Sequence, residues 1–585
     1  MNTLPTMTAD LIIVGGTPGG IMAAIAAARL GRSSIILERT RHVGGLPANG
    51  LGATDIGTRA ATGGLFRDFV DRVKAHYMAV YGATSPQVQM CSDGYHFEPS
   101  VGEQVLLAMI AEHTCITVLL DRQFDALPVH LEKTGSTISA VRILDRSTGQ
   151  TERFVGSVFI DATYEGDLAA AAGCPWRTRR ESTAEYGEFA AGRFYRAWGE
   201  STPGEGSTGE GDDVIQAYNY RLCLTDRPDN RVAITKPLGY QRDEYVSLAD
   251  DLVNDRAPGR YRSEREWDGI GRIVNQVSLP NSKTDSNNQH LAFISTDLPE
   301  ENYHWPTADW AWRDGFAQRL RDYTLGLIWF LQNDAAVPET FRVNASRWGL
   351  AKDEYTDNGH FPRQVYVREG RRIEGEYTFI STDALPTASG SRPPIHTSSI
   401  TASHYAIDSH AVRKREPGRV HLDGFLSVRT EPYTVPYGIM VPRGSENLLT
   451  PVPVSATHLG FGTLRMEPCW MALGHAAGIA AGLAIRDRVA VRSVSLRELQ
   501  DRLIAQGAVL IHYRDVSRDH PAFAVLQRIG LRGGIPEWEA RLTDVIAPNE
   551  GARWARWCGL HEDLVAGIGL TRGEVLVRLG AALST

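Results

Sequence analysis

The sequence predicts an α/β fold that opens on a Rossmann-like βαβ unit. Three observations lead there. Residues 10–14 (DLIIV) form a short, continuously apolar run, as a parallel strand covered on both faces requires. A glycine-rich turn over residues 15–20 (GGTPGG) then opens a helical stretch, IMAAIAAARLG, with small residues on the face that must approach a sheet. A second apolar run, residues 34–37, ends in Glu38, about twenty residues past the glycines, which is the spacing of a Rossmann-like βαβ unit.

The composition bounds the rest. The chain has 585 residues, of which 42% are hydrophobic and 22% charged, which excludes a disordered or fibrous protein and leaves room for several domains. With 61 basic against 69 acidic residues the net charge is −8, which argues against a nucleic-acid partner. Cys91, Cys115, Cys174, Cys223, Cys469 and Cys558 lie far apart with no C-x-x-C pair, so neither a zinc site nor a disulfide framework is expected. The N-terminus lacks a basic region followed by an apolar stretch and a cleavage site, and the Ala-rich stretches near Met22 and Ala476 read as shorter than the roughly 20 residues a membrane span needs. These features predict a cytoplasmic protein with no membrane association.

The opening turn has a chemical rationale. Free of side chains, its backbone N–H groups and the positive end of the following helix can meet a pyrophosphate, while Glu38 can accept hydrogen bonds from both hydroxyls of a ribose. Thr17 stands where the second glycine of the pattern usually lies, which predicts either a more crowded backbone approach or a hydroxyl that donates to a phosphate oxygen. The plain alternative is a glycine-rich turn that serves close packing alone. Residues 204–209 (GEGSTG) satisfy G-x-G-x-x-G literally, but they lie in an acidic Gly/Ser/Thr-rich stretch with no strand before and no helical pattern after, so they read as a loop. With no second fingerprint for NAD(P)H, the substrate itself is the expected source or sink of reducing equivalents.

Past Glu38 the chain reads RHVGGLPANGL over residues 41–51, then GATD. This resembles the double-glycine stretch after the ribose-binding acid in FAD proteins of the glutathione-reductase type, and implies FAD over NAD. Residues 155–162 lead into DATYEGD, similar to the strand that re-enters the nucleotide domain in those proteins. Near the C-terminus ENLL (446–449), SATH (455–458), RMEP (465–468) and GHAAGIAA (474–481) resemble the segments that close the flavin site. Together with IQAYNYRLCLT from Ile215, LPNSKTDSNN from Leu279, FLQND from Phe330 and VREGRRIEGEY from Val367, these make residues 10–490 resemble the FAD-dependent oxidoreductase family of bacterial proteins often mislabelled as xanthan lyases.

The resemblance implies a Rossmann-like FAD-binding domain of the glutathione-reductase type made of residues 1–171 and 441–490, an inserted α+β substrate-binding cap of residues 172–440 and a small helical C-terminal module of residues 491–585. It implies flavin contacts from Gly15, Thr17, Pro18, Gly20, Glu38, Arg39, Gly45, Leu46, Ala162, Gly474 and Ala477. A helix starting at Gly474 would set its positive end against the negative charge of reduced flavin, with Pro468 ending the segment before it. Close packing of a Gly/Ala helix on the sheet is compatible with that role.

Oxidation of an alcohol or amine needs a base for the heteroatom proton while hydride leaves carbon for flavin N5, and histidine suits that task near neutral pH. His458, just before the expected flavin helix, is the first candidate, His410 the second, and His404 is also considered. The plain alternative for each is an ordinary hydrogen-bonded histidine. Arg368 and Arg465 are candidates for fixing an anionic or polyhydroxylated ligand, against the alternative of ion pairs with Glu369 and Glu467 that order loops. Tyr218, Asn219, Arg221, Arg371 and Arg372 are further polar side chains of this region. Tyr303, His304, Trp305, Trp310 and Trp312 are read as core area in preference to a sugar-stacking surface.

Residues 515–516 and 571–574 (DV and TRGE) resemble pieces of an S-layer homology module, but without an export signal a structural cap, or a contact between copies in a homo-oligomer, is the preferred reading. The expected activity is transfer of a hydride from a small polar organic substrate, sugar-derived molecules included, to FAD. Two other readings stand beside it: a flavin-dependent monooxygenase or hydroxylase drawing on external reductant, and a carbohydrate-binding surface protein whose nucleotide fold is vestigial.

Overall fold

The structure is a computed structural model and describes residues 4–196, 202–258, 269–388, 390–567 and 569–584. Its central sheet has five parallel strands in the order Leu448–Leu449, Val158–Asp161, Leu11–Val14, Ser34–Leu37 and Ile116–Leu119. The three middle strands are buried at every position, which is why they read as unbroken apolar runs. Val14 is in register with both Leu37 and Asp161. Gly15, Glu38 and Ala162 therefore leave the sheet side by side at its carboxyl edge, where open α/β sheets bind ligands. Because Leu448–Leu449 joins this sheet after the long middle region, one sheet is built from stretches distant in sequence.

The Pro18–Ala28 helix covers the sheet and lies along the Glu467–Asp487 helix. The two touch backbone to backbone: a Cβ on Gly474 would sit 2.1 Å from the Gly19 carbonyl oxygen, and one on Gly478 would sit 2.1 Å from that of Ala23. The Glu467–Asp487 helix has 21 residues and a window of mean hydropathy 1.4, so it is longer and more apolar than the sequence reading allowed. Its apolarity is spent inside the protein, with 94% of that window buried.

A second sheet, ordered Thr6–Thr8, Gln150–Val155, Thr137–Asp145 and Arg122–Gln123 with Leu131–Thr134 also paired to Thr137–Asp145, flanks the first. The middle region forms its own antiparallel sheet in the order Arg231–Val232, Gly349–Ala351, Leu222–Thr225, Lys283–Asn288 and Val274–Leu279, accompanied by the 24-residue helix Trp310–Asn333. Residues 204–209 are turn and irregular chain, with no strand or helix. The C-terminal region carries the helices Leu496–Ala505, Phe523–Gly530, Pro548–Cys558 and Arg572–Ser584. All six cysteines are free thiols.

Candidate active site

At the carboxyl edge of the parallel sheet, Thr17 caps the Pro18–Ala28 helix. Its Oγ1 donates to the Ala162 carbonyl (2.7 Å) and accepts from the Gly20 N–H (3.4 Å), with Pro18 in the first turn. The hydroxyl proton is thus engaged by the Ala162 carbonyl, and Thr17 acts as a helix cap, a role neither of the two expectations for it included. Gly15, at φ +104°, has no room for a side chain, since a Cβ would lie 2.7 Å from the Ala162 carbonyl oxygen. Gly20 allows helix and turn to touch, its Cβ position being 2.3 Å from the Gly15 carbonyl oxygen. One oxygen of Glu38 accepts from the Gly16 N–H (2.8 Å), the other from the Thr40 N–H (2.8 Å) and Thr40 Oγ1 (2.9 Å). Burial pushes the Glu38 carboxyl up from its ordinary pKa, and the bonds from Thr40 and Gly16 offset part of that push. Gly45 faces Tyr164, whose Oη accepts from the Leu46 N–H (3.1 Å) and donates to Glu467 (2.7 Å).

These residues border a cleft of about 110 Å³. Gly15, Thr17, Glu38 and Arg39 line one side, Trp305, Trp310 and Asp314 line another, and Arg39, Arg122 and Arg363 bring cations to it. The glycine cradle, the helix N-terminus, the clamped carboxylate and the arginines fit a dinucleotide diphosphate. Two sequence expectations are corrected here. The helix begins at Glu467, with Pro468 in its first turn, so Pro468 opens this helix and does not end the segment before it. Gly474 and Ala477 are interior residues of that helix, where Gly474 serves contact with Gly19, so neither sits at a helix end facing a cofactor. Trp305 and Trp310 were read as core; Trp305 is indeed 3% exposed, yet both line the cleft.

The candidate catalytic side chains gather in a second, buried cluster. Asp297 bridges His410 Nδ1 (2.7 Å) and Arg368 Nη1 (2.8 Å). Asp408 takes His410 Nε2 (3.3 Å) and Arg465 Nη2 (2.9 Å), and Arg465 Nη1 donates to Tyr366 Oη (2.8 Å). The guanidiniums of Arg221, Arg368 and Arg465 lie 5.8, 4.7 and 5.6 Å from the centre of the Tyr366 ring. The ion pairs with Glu369 and Glu467 weighed as the plain alternative do not form: Arg368 pairs with Asp297 and Arg465 with Asp408. Glu369 instead holds His458 Nδ1 (2.8 Å) and Arg372 (2.9 Å), and His458 Nε2 meets Ser409 Oγ (2.9 Å). Both ring nitrogens of His458, the first candidate, are engaged at 2.8–2.9 Å, and both of His410 are engaged too, but its Nε2 contact is longer at 3.3 Å. His404 lies apart, on Thr58 and the Thr430 carbonyl.

Charge pairing decides the ionisation of these groups. Burial opposes the charge of Asp297, but Arg368 and His410 outweigh it and hold the carboxyl below the usual range. Glu369 is held down likewise by His458 and Arg372, and Glu181, buried beside Arg372, is lowered to about 2. Glu467 has no such cation: burial pushes it up to about 8, and its Oε2 is buried without a hydrogen-bond partner.

Residues 363–372 join the two sites, with Arg363, Gln364 and Val365 lining the cleft and Tyr366, Arg368, Glu369 and Arg372 entering the cluster. Tyr366, Asp297 and Glu369 were missed as functional candidates, and so was Asp408. For Asp408 a signal existed: it stands two residues before His410 at the end of the strand Ile407–Ser409, and alternate residues of a strand share a face. Nothing local marks Asp297.

The sequence profile described as FAD dependent oxidoreductase matches residues 10–503. No curated protein matches the chain. Among solved structures it is similar to the flavin-dependent monooxygenase PieE in complex with FAD and substrate, at 20% identity and TM-score 0.20, covering 30% of this chain and 34% of that one. It is also similar to 3-ketosteroid-delta4-(5alpha)-dehydrogenase from Rhodococcus jostii RHA1 in complex with 4-androstene-3,17-dione, at 12% identity and TM-score 0.21, covering 31% and 59%. A third is THI4 of Thermovibrio ammonificans, at 15% identity and TM-score 0.22, covering 30% and 67%. The chain thus spans about a third of the monooxygenase it matches. With the profile covering most of the chain and the cleft fitting the dinucleotide, the reading as a carbohydrate-binding protein with a vestigial nucleotide fold falls away, and the chain belongs to the FAD dependent oxidoreductase family as an FAD-dependent enzyme.

Proposed function

We propose that this enzyme oxidises a small polar organic substrate at a carbon bearing a hydroxyl or amine, with bound FAD supplying the two-electron acceptor. One observation carries the reading: Asp297, the carboxylate shared by His410 and Arg368, also lines a cavity of about 320 Å³ in the middle region. That cavity joins an apolar wall that includes Phe293, Leu298 and Phe425 to a polar floor of Asp297 and Asn288, the usual make-up of a small-molecule site.

The residues then take definite roles. Asp297 fixes the His410 ring through Nδ1, so in the neutral ring Nε2, with its longer 3.3 Å contact to Asp408, is the nitrogen that carries no proton and can take one from a substrate. Asp408, held ionised against burial by His410 and Arg465, faces Nε2 and stabilises the charge the ring gains when it takes a proton. The Nε atoms of Arg368 and Arg465 are buried without an acceptor among the described residues, and oxygens of a bound substrate would satisfy them. His458 and Glu369 keep the segment bearing Arg368 in position.

An anaerobic screen of sugars, sugar acids, hydroxy acids and amines tests the reading. The yellow absorbance should bleach with the right compound in the absence of NAD(P)H. Rapid reduction by NAD(P)H, with no compound bleaching the protein unaided, would instead favour the monooxygenase.

A further inference from the structure

One wall of the dinucleotide cleft comes from outside the parallel-sheet unit. Trp305, Trp310, Asp314 and Ala317 line it, and they belong to the start of the Trp310–Asn333 helix and the turn before it. This wall is fastened to the opposite side at four points. Arg39 Nη2 pairs with Asp314 (2.6 Å), and the same guanidinium stacks on the Trp310 ring at 4.0 Å. Trp310 Nε1 donates to the Phe124 carbonyl (3.0 Å), and Trp305 Nε1 donates to Glu165 (3.1 Å). Arg313 makes a two-pronged pair with Asp167 (2.6 and 2.9 Å). Arg39, Phe124, Glu165 and Asp167 all line the cleft themselves. Every fastener therefore crosses the edge of the space the cofactor fits.

The fasteners differ in exposure. The Arg313 and Asp167 side chains are 1% and 2% exposed, whereas the Asp314 side chain is 53% exposed and that of Arg39 17%. A buried forked pair of this kind opens rarely, while an exposed pair is weak and screened by salt. The outer contacts can part while the inner one holds.

We propose that residues 305–317 form a clasp over the dinucleotide, in which Asp314 and Trp310 are the releasable contacts that set how fast FAD leaves the protein. The proposal rests on FAD occupying this cleft. It makes Asp314 and Trp310, from the inserted region, positioning residues for the cofactor, and it ties cofactor retention to docking of the insertion on the parallel-sheet unit.

The test is the rate of FAD release from the holoenzyme, followed by the recovery of free-flavin fluorescence after dilution, at low and high salt. Asp314→Asn should release FAD about threefold faster than wild type at low salt, and Trp310→Ala at least about tenfold faster, in line with an exposed ion pair and with loss of both a stacked cation and a hydrogen bond. Wild-type release should accelerate with salt, and Asp314→Asn should lose that acceleration. If Trp310→Ala does not fold, Trp310→Phe keeps a smaller aromatic face for Arg39 while removing the bond to Phe124, and should still release faster. Wild-type rates with an unchanged salt response in the folded variants would overturn the clasp and leave these aromatics as core. A wild-type protein that neither carries nor takes up FAD would instead sink the cofactor assignment, a distinguishable failure.

Discussion

Replacing Glu38 by Gln tests the cofactor site most directly. The carboxylate accepts three hydrogen bonds, from the Gly16 N–H and from the N–H and hydroxyl of Thr40, all between 2.8 and 2.9 Å. A glutamine has one acceptor oxygen. If it faces Gly16, its NH₂ confronts the Thr40 N–H; if it faces Thr40, the Gly16 N–H that shapes the turn loses its partner. Either way one charge-assisted bond is lost, and a ribose hydroxyl meets a neutral amide where a carboxylate stood. Hydrogen bonds to charged groups are worth about 1.5–3 kcal/mol, which corresponds to roughly 10–100-fold weaker FAD binding. Because Trp305 and Trp310 line the same cleft, titrating apoprotein with FAD and following quenching of tryptophan fluorescence reads the dissociation constant directly. A folded Glu38→Gln protein that binds FAD within about twofold of wild type would refute the reasoning, since no geometry of the amide preserves all three bonds.

Three further outcomes are expected. Glu467 is an acid whose pKa is raised from 4.5 to about 8 by burial. The folded state therefore holds a proton that the unfolded chain gives up, and stability relative to Glu467→Gln should fall as pH rises from 4.5 to 8, at most by about 1.4 kcal/mol per pH unit; thermal melts across that range check it, and a pH-independent difference would count against a neutral buried acid. Gly474→Ala puts a methyl 2.1 Å from the Gly19 carbonyl oxygen and should cost about 1–3 kcal/mol or more by forcing the two helices apart, seen as a lower Tm; an unchanged Tm would mean the helices are not in backbone contact. His410→Gln should keep FAD content yet slow anaerobic reduction by a substrate from the screen by about 10²-fold or more, and an unchanged rate would remove His410 from the chemistry.

The opening βαβ unit was readable because each of its signals is local. A strand buried on both faces shows as a continuous apolar run, a tight approach shows as glycine, and parallel register carries Gly15 and Glu38 to the same edge. The same reasoning went astray where residue type reports burial without its partner. Gly474 and Ala477 mark a place where something comes close, and the neighbour that comes close is the Pro18–Ala28 helix. Trp305 and Trp310 are apolar enough for core, yet they line the cleft at the carboxyl edge of the parallel sheet.

For the buried cluster of candidate catalytic residues, the residue types were legible and the pairings were not. His410, Arg368 and Arg465 were recognisable as candidates, but their partners Asp297, Asp408 and Tyr366 come from separate, largely irregular stretches of the insertion. Neighbouring carboxylates such as Glu369 and Glu467 were the obvious counter-ions along the chain, and neither pairs with the arginine expected of it. Periodicity and turn chemistry act over a few residues and so can be read from the order of amino acids. Which buried cation meets which carboxylate depends on how chain segments far apart in sequence pack against one another, because a charge withdrawn from water takes the partner that the fold brings within hydrogen-bonding distance.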